Sequence, residues 1–221
     1  MKSVLVLAWP PALQMLGTFL VTVVFIRMMG DFGDKAQTAY SIGLRMGMLA
    51  PMICFPLAGA VATLVGQALG SGSVRRAWQA IQVGLAVVCA LMWSLAVVLY
   101  LFRETLLRIF TQDPEVIAIG SRMLTWQAAS LVPLAFSFVF FRALQGAGDM
   151  MIPMVISVLN AVLLTLPLGI YLAETRGMGP EGLFIAQFVG ALVGTTFTGA
   201  WVATGRWTRT RSRLRSDPRP T

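Results

Sequence analysis

An all-α bundle of six membrane-spanning helices is the fold this sequence predicts, on two observations. First, 57% of its 221 residues are hydrophobic and only 12% are charged. A soluble domain carries about 25% charged residues, so this chain cannot cover a globular surface of its size with polar groups. Second, the charges are confined to the gaps between six uncharged stretches: Ser3–Ile26, Met46–Val74, Ala77–Phe102, Met123–Phe141, Met150–Ala173 and Gly182–Gly205, each of 19 to 29 residues. Crossing the hydrocarbon takes about 20 residues. Backbone groups in lipid must be paired within their own segment, so each stretch is expected to be a helix. The spans are placed at about 3–28, 38–69, 77–102, 116–141, 151–173 and 181–204, in a lobe of residues 1–205 followed by a basic, disordered cytoplasmic tail at 206–221.

The first span follows a charge at Lys2, but its apolar part is far longer than a signal-peptide core of about 7–15 residues, so it is read as retained. The second span is long enough to need a tilt or a bend. Pro51 and Pro56 are expected to interrupt it, either as kinks for packing or as a hinge lining a cavity, because proline removes a backbone donor. Pro133 and Pro167 place bends in spans four and five. The connector from Arg103 to Glu115 puts Leu106, Leu107 and Phe110 on one helical face. It is either a short interfacial helix or the frayed end of span three. The pairs Gly43 and Gly47, Gly66 and Gly70, and Gly190 and Gly194 have the four-residue spacing that lets helices approach closely.

Orientation follows from Lys and Arg. The side holding both termini carries ten cations, six of them in the tail, against six on the other side. That places both termini in the cytoplasm and the chain in the inner or plasma membrane as a multi-pass protein. The net charge of +8 is read as a tail facing anionic lipid and not as a nucleic-acid surface, because no basic helix or aromatic stacking platform accompanies it.

Polar groups inside spans are the candidates for function, since burying them in lipid is costly. These are Gln14, Arg45, Gln79, Gln82, Gln127, Asn160 and Gln187. Arg45 is the one charge well inside a span, about 10 Å from the outer end at 1.5 Å per residue. It either snorkels to the interface or faces a water-filled cavity. Met48 and Met52 cluster near it, and thioether side chains adapt to irregular ligands. The candidate substrate-cavity set is Gln14, Arg45, Met48, Met52, Gln127 and Asn160. Histidine is absent, and Cys54 and Cys89 sit in apolar runs, so neither a metal site nor a His-based catalytic set is expected. Gly70-Ser71-Gly72-Ser73 lacks the lysine of a nucleotide-binding loop. No enzyme activity and no cofactor are expected.

Two local sequences carry a family resemblance. Ala60-Val61-Ala62-Thr63-Leu64-Val65-Gly66-Gln67-Ala68-Leu69-Gly70-Ser71-Gly72 resembles the signature that ends the second helix of a multidrug and toxic compound extrusion (MATE) lobe. Phe141-Arg142-Ala143-Leu144-Gln145-Gly146-Ala147-Gly148-Asp149, followed by Pro153, resembles that family's Gly-Asp loop. Ala8-Trp9-Pro10 and Ala39 to Arg45 fit the openings of the first two helices of a lobe. The resemblance runs from about Ala8 to Trp207 and is strongest to the C-terminal lobe. It implies twelve helices in two lobes, hence a second six-helix lobe as partner, either a second copy or a separate chain. It also implies export of organic cations or other amphipathic compounds in exchange for H⁺ or Na⁺. Pro51, Pro56, Gly66, Gln67, Gly70, Gly146, Gly148 and Asp149 become the structural or gating motif. The family's coupling carboxylates are missing from spans one, four and five, so either a partner lobe supplies the acid or coupling is lost. Two other readings stay open: a flippase of lipid-linked oligosaccharides, and a truncated or accessory membrane protein without transport.

Overall fold

The computed structural model describes residues 2–209; of the tail expected at 206–221, residues 210–221 lie outside the described residues. The elements in chain order are α1 (Lys2–Asp31), α2 (Asp34–Gly47), α3 (Leu49–Gly70), α4 (Val74–Leu101), the short α5 (Arg103–Arg108), α6 (Pro114–Ala147), α7 (Met151–Leu159), α8 (Leu166–Ile170) and α9 (Pro180–Ala203). A 3₁₀ turn, Arg206–Arg209, follows. With α2–α3 and α7–α8 each counted as one crossing, six helices are long and apolar enough to span a membrane. This is the predicted six-helix bundle.

Helix α6 is the hub, packed against α4, α9, α3 and α2. Small residues let it approach its neighbours. A Cβ at Gly146 would run into the backbone carbonyl of Ala62 on α3. On α2, Gly43 and Gly47 receive the side chains of Met123 and Gln127 from α6. On α9, Gly190 and Gly194 receive Thr165 and Asn160 from the fifth crossing. Hydroxyls join α6 to α9: Thr195 Oγ1 lies 2.9 Å from the Pro133 carbonyl and 2.5 Å from Ser137 Oγ.

The second crossing breaks at Met48, not at either proline. Pro51 is the third residue of α3. It has no N–H for the Gly47 carbonyl four residues back, and its ring crowds that carbonyl, so α2 stops at Gly47. Pro56 lies inside an uninterrupted α3. The fifth crossing absorbs Pro167 differently, through widened π-helical turns at Asn160–Thr165 and Tyr171–Thr175 on either side of α8.

The Arg103–Glu115 connector holds a separate helix, α5, after a break at Phe102. Of its expected apolar face, Leu107 is fully buried against Gly120, whereas Phe110 is exposed. At the start of α6 the Asp113 carboxylate accepts from the Glu115 N–H at 2.9 Å. That bond, aided by nearby Lys35, holds its pKa below the usual carboxylate value.

Two turns at one end of the bundle close identically. Gly72 and Gly148 have φ of 79° and 84°, the left-handed region that favours glycine. After α3, Ser73 N donates to Ala68 O at 2.9 Å and Gly72 N to Leu69 O at 3.2 Å; after α6, Asp149 N donates to Leu144 O at 2.9 Å and Gly148 N to Gln145 O at 3.0 Å. Both are Schellman closures.

Candidate functional site

Next to the break, at Gly47, lies a cavity of about 200 Å³, lined also by Trp126, Gln127, Ser130, Phe184 and Gln187 among others. Each wall has a local cause. Pro51 ends α2, and the bare Gly47 lets the Gln127 amide lie against the break. From α9, Gln187 Nε2 donates to the Tyr40 hydroxyl at 3.0 Å. Tyr40 is fully buried and stacks on Phe184 with ring centroids 6.3 Å apart. Ser130 Oγ donates to the Trp126 carbonyl at 2.8 Å.

Gln127 Oε1 is buried and accepts no hydrogen bond. An orphaned acceptor in an apolar setting costs about 1–3 kcal/mol, so this oxygen is chemically ready for a donor or a cation. Beside it, Trp126 Nε1 donates to Glu181 Oε1 at 3.4 Å, and Arg122 Nη1 lies 3.4 Å from Glu181 Oε2. A carboxylate thus stands one side chain away from the cavity, at the start of α9. Among the described residues no three His, Cys, Asp or Glu side chains converge as a metal site.

Of the six residues expected to share a cavity, only Gln127 lines this one. Asn160 instead donates from Nδ2 to the Gly190 carbonyl at 3.0 Å, and its Oδ1 is buried without a partner. Arg45, Met48 and Met52 point out of the lobe, the two methionines 64% and 72% exposed. Gln14 is half-buried on α1, next to Leu13 and Leu16, which line an apolar groove of about 670 Å³ between α1 and α7. In the motif set, Gly66, Gln67 and Gly70 form the last turn of α3. Gly146 and Gly148 serve the close approach and the turn described above, and the buried Asp149 accepts from Trp201 Nε1 at 3.0 Å.

Sequence reasoning missed Gly47, Trp126 and Ser130 as cavity walls and Glu181 as their neighbour. It singled out Gln187 as an in-span polar group without placing it here. The usable signal was the Gly43–Gly47 spacing just before Pro51, which marks a close contact at a helix break.

The comparisons agree with this architecture. A family model described as MatE matches residues 10–171. A probable multidrug resistance protein NorM of Thermotoga maritima is 24% identical over 97% of this chain and 47% of its own length. A protein of Shewanella oneidensis named as an FAD transporter is 27% identical over 78% of this chain and 39% of its own length. The crystal structure of the eukaryotic MATE transporter AtDTX14 superposes with a TM-score of 0.88 at 20% identity, over 97% of this chain and 48% of that one. The chain thus spans about half the length of the relatives it matches. In sequence and in fold, it belongs to the MatE family as a single six-helix lobe.

Proposed function

We propose that this chain is one lobe of a secondary-active antiporter in the inner or plasma membrane, with both termini cytoplasmic. It exports organic cations or other amphipathic compounds in exchange for H⁺ or Na⁺. The observation that carries the reading is the second crossing, broken at Met48 beside a partly polar cavity. Broken helices beside a mid-membrane cavity are how transporters place polar groups where substrate and ion bind. A second six-helix lobe completes the substrate path, and the two lobes rock about it to give alternating access.

The described carboxylates lie near the two ends of the lobe: Asp31, Asp34, Glu104, Asp113, Glu115, Glu174 and Glu181 at one, Asp149 at the other. The partner lobe therefore supplies the coupling acid, and Gln127 Oε1 offers a neutral acceptor on this side. Dye efflux from vesicles under an imposed Na⁺ or H⁺ gradient tests this, with the chain alone and with a second lobe. Gradient-driven efflux that falls at least tenfold in Gln127→Leu, about 1.4 kcal/mol, is expected. No gradient-dependent efflux in either arrangement rules the antiporter out.

A further inference from the structure

Arg45 sits in the last turn of α2, exposed. Among the described residues its side chain takes part in no ion pair and no hydrogen bond. Three, seven and ten residues on stand Met48, Met52 and Phe55, 64%, 72% and 50% exposed. The break does not scatter them, because Met48 keeps right-handed helical angles, φ −69° and ψ −20°. They form one strip about 15 Å long at 1.5 Å per residue.

A second guanidinium closes the far end. The Cζ of Arg142 on α6 lies 4.6 Å from the centroid of the Phe55 ring. Its Nη1 donates to Gln145 Oε1 at 2.8 Å, while its Nε is buried with no acceptor. No described carboxylate lies on this strip: the acids at one end belong to turns and helix starts, and Asp149 is turned inward onto Trp201. An unpaired arginine facing lipid is costly, and such charges ordinarily face a partner, a cavity or a ligand.

We propose that this strip binds an amphipathic organic anion. A carboxylate, sulfonate or phosphate pairs with the Arg45 guanidinium, whose planar fork suits such groups. The apolar or aromatic body lies along Met48, Met52 and Phe55, and Arg142 provides the second positive contact. Among the compounds considered above, the strip selects anions and repels organic cations. The proposal deepens the transporter reading and rests on it for the purpose of binding, but the binding itself is measured without transport.

The test uses the chain in phosphatidylcholine nanodiscs and three fluorescent probes: fluorescein as a soluble aromatic anion, ethidium as a planar cation of similar size, and labelled phosphatidic acid as an anionic lipid. Fluorescein is expected to bind more tightly than ethidium. Arg45→Gln should weaken fluorescein about tenfold, and Arg45→Lys should restore part of the loss. Because the exposed Arg45 side chain makes no hydrogen bond or ion pair among the described residues, the Gln variant keeps its helical circular dichroism. An Arg45-dependent signal from labelled phosphatidic acid with none from fluorescein assigns the strip to a lipid headgroup and overturns the proposal of a soluble amphipathic anion. Equal fluorescein binding in wild type and Arg45→Gln, or tighter binding of ethidium, overturns the proposal. Anion binding without gradient-driven efflux leaves the site standing and removes only the antiporter; gradient-driven efflux with fluorescein binding indifferent to Arg45 does the reverse.

Discussion

Helix α1 belongs to the core at one end of the lobe and stands away from it at the other. Near the Asp31–Asp34 turn, Phe25 and Met29 of α1 are fully buried among Tyr40, Ala173, Leu183 and Phe184. Toward its start, Met15, Leu16 and Phe19 are 77%, 62% and 65% exposed, and Leu159 and Val162 of the fifth crossing, across the groove, are 50% and 40% exposed. The apolar groove opens there, between α1 and α7. By contrast α3, α4 and α6 share one core that runs on to Trp207. The lobe is thus a tight unit of α3, α4, α6 and α9 with the fifth crossing laid along α9, and α1 joins the core at the end near the Asp31–Asp34 turn while its opening half lies against α7. The glycines explain the difference. Gly146 brings α6 onto α3, and Gly169 and Gly182 bring α8 and α9 onto Phe25 and Ala173. In the open half of α1, Gly17 meets only Val158, at an ordinary 3.6 Å.

Replacing a glycine of the tight unit should break the comparison most severely. Gly146→Val puts methyl groups into the backbone of Ala62, which cannot rotate away. Overpacking of this kind costs about 3 kcal/mol, so a large drop in thermal midpoint in detergent and a loss of the monodisperse species are expected. An unchanged midpoint would mean that α3 and α6 are not in contact there.

A phenylalanine pair on α1 sharpens it. Phe25→Ala removes a fully buried ring and should cost about 2 kcal/mol, less than in a water-soluble core because lipid tails are as apolar as the interior. Phe19→Ala removes an exposed ring and should stay within about 0.5 kcal/mol of wild type. Equal effects in the same denaturation assay would erase the distinction between the two ends.

Much of the bundle was legible in the sequence, because scarcity and confinement of charge are properties of composition and need no knowledge of neighbours. The break in the second crossing was legible in kind but misplaced. Pro51 acts on the carbonyl four residues before it, where the helix stops at Gly47, whereas Pro56 removes one donor without ending α3. The glycine spacings announced close packing and were silent on what packs. That Gly47 receives Gln127, and Gly194 receives Asn160, depends on the rotation of helices distant along the chain. For the same reason the sequence could not say how the candidate residues sit within the lobe: Gln127 lines the inner cavity, Asn160 bonds the Gly190 carbonyl of α9, and Arg45, Met48 and Met52 are exposed on the lobe's surface. Polarity marks a residue as worth explaining, and only the packing says which space it faces.

The most direct test of the single-ended anchoring is a pair of spin-label distance measurements by pulsed electron resonance, with Cys54 and Cys89 replaced by alanine. One pair, Leu13→Cys with Val155→Cys, straddles the groove between α1 and α7; the other, Phe32→Cys with Met178→Cys, uses exposed sites at the anchored end. A broad distance distribution for the first pair and a narrow one for the second is the predicted result. Equally narrow distributions at both ends would contradict an α1 buried in the core at one end and standing away from it at the other.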